Sequence, residues 1–352
     1  MGRLTQLHVV LMKAGEPPTA GGERRPDRRL AECFRVAGWN ESVVRGTLGG
    51  PGARRWSTIA RFAASALVPC VVVLLSPAGA SSAAAPGETM VVRVLHLVDS
   101  SRTIRLPGGR LTARPVTTYL RYPGSGTGPW PLVVFGHGFA ATPGIYARLL
   151  RAWTLAGYVV AAPLFPLGNA NAAGGPDESD IVNQPRDISF VISQLLTGSA
   201  SPGSPLHGLV DPSRIAVAGQ SDGAETAFAA AYEPPYRDAR IDAAVILSGE
   251  RLPGGAPGGP PSVPLLAAQG TADTTNPPSY TLAFFDAAAR PKYLLSLTGA
   301  GHLGPYTNEE PQLGVVERVT TAFLNRYLKH GSPAELERAA AAPGVATLVA
   351  VP

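Results

Sequence analysis

Cysteine is nearly absent: the 352 residues contain two, Cys33 and Cys70, and both fall before residue 86. The rest of the chain therefore has no thiol for a disulfide framework, a cysteine-ligated zinc or a cysteine nucleophile. Charged residues are sparse at 16% and aromatic ones at 7%. With 45% apolar residues the chain can still bury a sizeable core, which excludes a disordered tail or a small stapled domain. Long apolar runs are missing too. The most apolar stretch, residues 62–75, has 14 residues, short of the ~20 that a membrane-spanning helix needs. A nucleic-acid reading fails on position. Of 30 Lys+Arg and 25 Asp+Glu, 11 and 5 lie before residue 86, which leaves 19 and 20 in an electrically balanced body.

The N-terminal piece reads as an address. Arg54, Arg55 and Arg61 precede the short apolar run, and small-x-small sites follow at Ala78-Gly79-Ala80 and Ala83-Ala84-Ala85. A basic flank, a short apolar heart and small residues make a secretory signal over residues 54–85, so a secreted or cell-envelope protein is expected. An uncleaved membrane anchor is the alternative. Residues 1–53 lack steady periodicity and read as a disordered extension, or as sequence ahead of the true translation start. A single catalytic domain is expected over residues 86–352.

From Glu88 onward, short β-branched runs alternate with longer runs of helical spacing. Residues 91–98 and 116–123 read as antiparallel strands joined through the turn-rich LPGGR. Six more strands are expected at 131–138, 158–165, 214–221, 243–250, 264–270 and 292–297. Helices are expected at about 143–155, 180–196, 222–233, 278–288 and 311–329. Such alternation implies an α/β fold: a mostly parallel eight-stranded sheet covered by helices on both faces. Residues 167–176 and 253–263 read as Gly/Pro-rich loops, and the apolar end, residues 342–352, as a tail laid on the domain. In sheets of this kind reactive groups gather beyond the carboxyl ends of the strands.

Gly219-Gln220-Ser221-Asp222-Gly223 follows the strand RIAVAG and opens a helix, which places a hydroxyl on a tight strand-to-helix turn. Flanking glycines permit the bend, and the helix N-terminus favours developing negative charge. A serine hydroxyl is a poor nucleophile until a base takes its proton. Of the six histidines, His302 alone follows the elbow in a loop after a late strand. His137 is expected to brace its loop, and His8, His96, His207 and His330 to be exposed or structural. The base needs a carboxylate to hold its tautomer. Asp273 lies beyond the strand at 264–270 and gives the order Ser, Asp, His; Glu250 is the reserve acid. Two backbone N–H groups should hold the oxyanion, from Asp222 and from Phe139 in the Gly136-His137-Gly138-Phe139 loop. The Asp222 side chain is expected to turn away and cap its own helix. Phe139, Leu164 and Phe165 either line an apolar acyl pocket or pack as ordinary core.

The strand followed by HGF, the GQSDG elbow, the G-x-x-D loop from Gly270 to Asp273 and the GAGH loop resemble the α/β-hydrolase superfamily. The likeness is to its secreted branch of dienelactone hydrolases, chlorophyllases, platelet-activating-factor acetylhydrolases and cutinase-like polyester hydrolases, over about residues 89–330. Many members carry His before and Met after the serine, where this chain has Gln220 and Asp222. The resemblance implies a serine esterase that works through an acyl-enzyme without metal or organic cofactor. The expected partner is a small-molecule or polymeric ester, with no nucleic acid, no membrane contact beyond an uncleaved anchor, and a monomer as the default. Two other readings stand beside this one: a catalytically inactive hydrolase fold used as an envelope binding protein, and a serine peptidase.

Overall fold

The computed structural model describes residues 89–252 and 263–352. The signal-like segment, the N-terminal extension and most of the Gly/Pro loop at 253–263 lie outside the described residues. The chain first forms a long hairpin, β1 (Met90–Arg105) and β2 (Leu111–Pro123). Their antiparallel register runs from Met90 opposite Pro123 to Arg105 opposite Leu111, with a bulge between Asp99 and Thr103. LPGGR closes it, with Gly108 and Gly109 at φ of 82° and 83°, a backbone conformation that residues with a side chain rarely adopt.

Five parallel pairings follow, among β3 (Trp130–Gly136), β4 (Val159–Pro163), β5 (Val210–Gln220), β6 (Ala243–Leu247), β7 (Leu265–Gly270) and β8 (Lys292–Leu297). The helices are α1 (Ala147–Leu155), α2 (Gln184–Ala200), α3 (Asp222–Tyr232), α4 (Pro278–Ala287), the short α5 (Gly304–Thr307), α6 (Gln312–Leu328) and α7 (Pro333–Ala340). The spatial strand order is β1-β2-β4-β3-β5-β6-β7-β8-β9. The ninth strand corrects the eight-stranded expectation. Residues Ala346–Val351, read as a loose tail, form β9 and pair antiparallel with β8 from Lys292–Val351 to Leu297–Ala346. Their backbone completes the pairing of β8, whose N–H and C=O groups on that side would otherwise stay unpaired.

The parallel strands read as continuous apolar runs because both faces are covered. In β3, Val133 and Phe135 point to one layer with Trp153 of α1 and Phe323 of α6. Leu132 and Val134 point to the other layer, with Ile188 of α2, Phe228 of α3 and Phe284 of α4. Each such wholly buried side chain contributes roughly 1.5–3 kcal/mol by leaving water. All eleven residues of α3 are buried. Its alanines bring the helix close against the sheet, and they also carry the carboxyls of Asp222 and Glu225 inside.

Arg114 is buried on the same face of β2 as Val116 and Leu120. It donates to both oxygens of Asp180 at 2.9 and 2.7 Å and to both oxygens of Asp187 at 2.7 Å. Arg102 adds a bond of 2.7 Å to Asp187 Oδ1. Burial pulls the Arg114 guanidinium down, but its hydrogen bonds to Asp187 and Asp180 outweigh it and leave its pKa raised. This cluster ties the hairpin to α2 and to the 3-10 turn Glu178–Asn183 before it. Among the described residues no helix is long and apolar enough to cross a membrane.

Candidate active site

Ser221 sits between β5 and α3 with φ 55° and ψ −128°, a conformation that costs a non-glycine residue of order 1–3 kcal/mol. The neighbouring backbones hold it there. A Cβ on Gly219 would come within 1.9 Å of the Gly223 carbonyl oxygen, and one on Gly223 within 2.1 Å of the Gly136 carbonyl oxygen. The two flanking glycines are therefore required by close approach: helix α3 starts directly against β3.

His302 follows β8. Its Nε2 lies 2.9 Å from Ser221 Oγ, and its Nδ1 lies 2.8 Å from Asp273 Oδ2. Asp273 is buried and accepts further bonds at Oδ1 from the N–H groups of Thr275 and Asn276, at 2.9 and 3.0 Å. Gln269 Nε2 donates to its Oδ2 at 3.3 Å. An ionised carboxylate accepts only, so Nδ1 carries the proton and Nε2 is left to accept from the serine. The structure thus brings together Ser221, Asp273 and His302. Glu250 makes no hydrogen bond to His302 among those of the described residues.

The loop after β3 is braced from beneath. His137 is buried and accepts the Phe165 N–H at Nε2, 3.1 Å away, while its Nδ1 lies 2.8 Å from the Gly138 carbonyl oxygen. Nδ1 must then donate. Burial lowers the His137 pKa to about 4, so the ring is a neutral brace. His96, His207 and His330 are exposed. Phe139 is 38% exposed and Leu164 half-buried, both at this end of the sheet. Phe165 is a correction to the pocket expectation. Its side chain is wholly buried in the core, with its ring centroid 4.9 Å from that of His137; a residue leaving a parallel strand alternates inward as readily as outward.

Asp222 does not cap its helix, which is a second correction. The N-cap residue is Ser221, whose side chain makes no capping bond, and the Asp222 carboxyl bonds its own amide rather than one further along α3. The carboxyl is 6% exposed and its Oδ2 has no hydrogen-bond partner among the described residues. Burial, with the charges of Glu178 and Glu250, pushes it up to about 7. Burial beside Asp222 pushes Glu225 up further, to about 9. No group of three or more His, Cys, Asp or Glu side chains among the described residues is placed to hold a metal ion.

Three residues given no site role from the sequence touch the site. Gln220 and Tyr146 are buried and link the His302 loop to the loop after β3. Asn276 Nδ2 donates to the Ser248 carbonyl at 2.9 Å and tethers the acid loop to β6. Gln220 alone had a local signal, through its place in the elbow.

A mostly parallel sheet flanked by helices, with a serine on a strained strand-to-helix turn facing a histidine from a late loop, is the α/β-hydrolase fold. The chlorophyllase family model matches residues 104–247, which include the elbow but stop short of Asp273 and His302. A solved ferulic acid esterase from Streptomyces cinnamoneus is similar at 22% identity with a TM-score of 0.60, covering 76% of this chain and 98% of the esterase; that likeness is one of fold. No curated protein matches. Over residues 104–247 the chain is therefore similar to chlorophyllases, and it shares its fold with the solved esterase.

Proposed function

We propose that the chain cleaves carboxylic esters through an acyl-enzyme on Ser221. The observation that carries this reading is one imidazole held at 2.9 Å from the serine oxygen and 2.8 Å from a buried carboxylate. Nε2 takes the hydroxyl proton as Oγ attacks the ester carbon, and passes it to the departing alcohol as the carbon–oxygen bond breaks. Water then attacks the acyl-enzyme, giving its proton to the same nitrogen, and the acid leaves as Oγ is reprotonated. Asp273 holds the tautomer and stabilises the imidazolium. The amides of Phe139 and Asp222 receive the negative oxygen of both tetrahedral intermediates.

The half-exposed Phe139 and Leu164 support an apolar acyl side to the cleft, and an ester substrate also fits the class that the family model names. The basic, apolar and small-residue segment at 54–85 supports export to the envelope or medium. Labelling with a fluorophosphonate tests the reading first, because that reagent needs an activated serine. Wild type should label and Ser221→Ala should not. A panel of p-nitrophenyl esters of increasing chain length, assayed with both proteins, then reads the acyl preference. Absence of labelling would favour an inactive hydrolase fold that binds rather than cleaves.

A further inference from the structure

Behind the serine lies a chain of hydrogen bonds with one direction. Gly138 N–H donates to Tyr146 Oη at 3.2 Å, Tyr146 O–H donates to Gln220 Oε1 at 2.7 Å, and Gln220 Nε2 donates to the His302 carbonyl at 3.0 Å. The sense is forced. A backbone carbonyl only accepts, so the amide nitrogen must face His302 and its oxygen must face Tyr146. Tyr146 therefore has to donate, which leaves a lone pair for Gly138 N–H. Tyr146 and Gln220 are both buried, and burial raises the phenol pKa and keeps its proton in place. Glycine at 138 makes room: a Cβ there would stand 3.0 Å from Gln220 Oε1 and 3.3 Å from Tyr146 Oη. The same Gln220 nitrogen is 3.4 Å from His302 Nε2, so it sits against the ring that it helps to place.

We propose that Gln220 and Tyr146 are positioning residues that lock the imidazole loop to the loop carrying the Phe139 amide, so that base and oxyanion donor keep a fixed separation across the serine. The proposal rests on the serine-hydrolase reading above and deepens it. The three segments are far apart in sequence, at 138–146, 220 and 302, and nothing else in the described hydrogen bonds joins the first to the last so directly. An error of about 1 Å in such a separation costs on the order of 100-fold in rate.

The test uses p-nitrophenyl acetate and the full chain. Tyr146→Phe removes one hydroxyl, Gln220→Met removes the polar amide at similar volume, and Gln220→Glu keeps the shape but turns the donor into an acceptor. Expected are kcat losses of about 10-fold for Tyr146→Phe and Gln220→Met and about 100-fold for Gln220→Glu, each with KM within about twofold. Either single change breaks the chain, so the double variant Tyr146→Phe/Gln220→Met should be no more than about twofold slower than the worse single one. Losses that multiply, or kcat within twofold of wild type for Tyr146→Phe and Gln220→Met, overturn the proposal. If Gln220→Glu does not fold, Tyr146→Phe decides alone. Hydrolysis that survives Ser221→Ala sinks the underlying reading instead; with that variant inactive and the network variants near wild type, the network alone falls.

Discussion

Two of the regions where the molecule buries carboxylates treat them in opposite ways. In the Arg114 cluster, Asp180 and Asp187 are closed on by a guanidinium, every oxygen is engaged, and the charges are matched inside the hairpin–α2 junction. In the loop after β7, Asp273 meets no guanidinium among the described residues. It leans on two backbone amides and on an imidazole whose other nitrogen faces a half-buried serine. The first arrangement fixes charge permanently and so holds structure. The second leaves one proton position open between Asp273 and Ser221, and so lends itself to chemistry.

Substitutions that separate rate from stability break or sharpen that contrast. Ser221→Ala should lower kcat by roughly 10⁴-fold or more and shift Tm by only a degree or two, as read by ester hydrolysis and calorimetry. Asp273→Asn keeps the shape but offers an amide to Nδ1, inviting the wrong tautomer; a fall of about 10³–10⁴-fold in kcat is expected, largest near neutral pH. Arg114→Ala reverses the pattern. It strands two buried carboxylates and should cost about 3–5 kcal/mol of unfolding free energy in denaturant titration, with kcat of the folded fraction within about threefold. A comparable loss of kcat with unchanged stability would put the cluster in the catalytic machinery and erase the distinction.

The smallest effect concerns pH. Glu225 has a folded pKa of about 9 against an ordinary 4.5, so between those values the folded chain holds a proton that the unfolded chain has released. Stability therefore falls as pH rises through that window. Glu225→Gln should flatten the fall, leaving the variant on the order of 5 °C higher in Tm than wild type at pH 9 and little different at pH 5. Parallel curves for the two proteins would show that Glu225 is ionised or solvated in the fold.

Much of this was legible because the signals are local. The β-branched runs of β3 to β8 and the helical spacing between them need only near neighbours, and GQSDG announces its turn through glycines that the backbones of β3 and α3 leave no room to replace. Asp273 and His302 follow from chain order and strand ends. What escaped depends on distant segments meeting. Tyr146 carries no signal in its own segment, since its partner Gln220 lies 74 residues away. Phe165 looks like a pocket residue until the direction of its side chain is known. Arg114 did carry a trace, since it keeps the two-residue beat of Val116 and Leu120, but its partners arrive from 66 and 73 residues away. Asp222 misled for another reason: the N-terminal position favours a capping role, and burial of the whole of α3 overrides it.

β9 has a practical corollary. Its six residues shield the outer margin of β8, the strand that delivers His302. Proteolytic nicking before Ala346 would bare that margin along its length, and a naked strand of this kind recruits whatever extended polypeptide it meets. Clipped material should therefore turn up as sticky, self-associating species, so the integrity of these last residues is a quality check on any preparation.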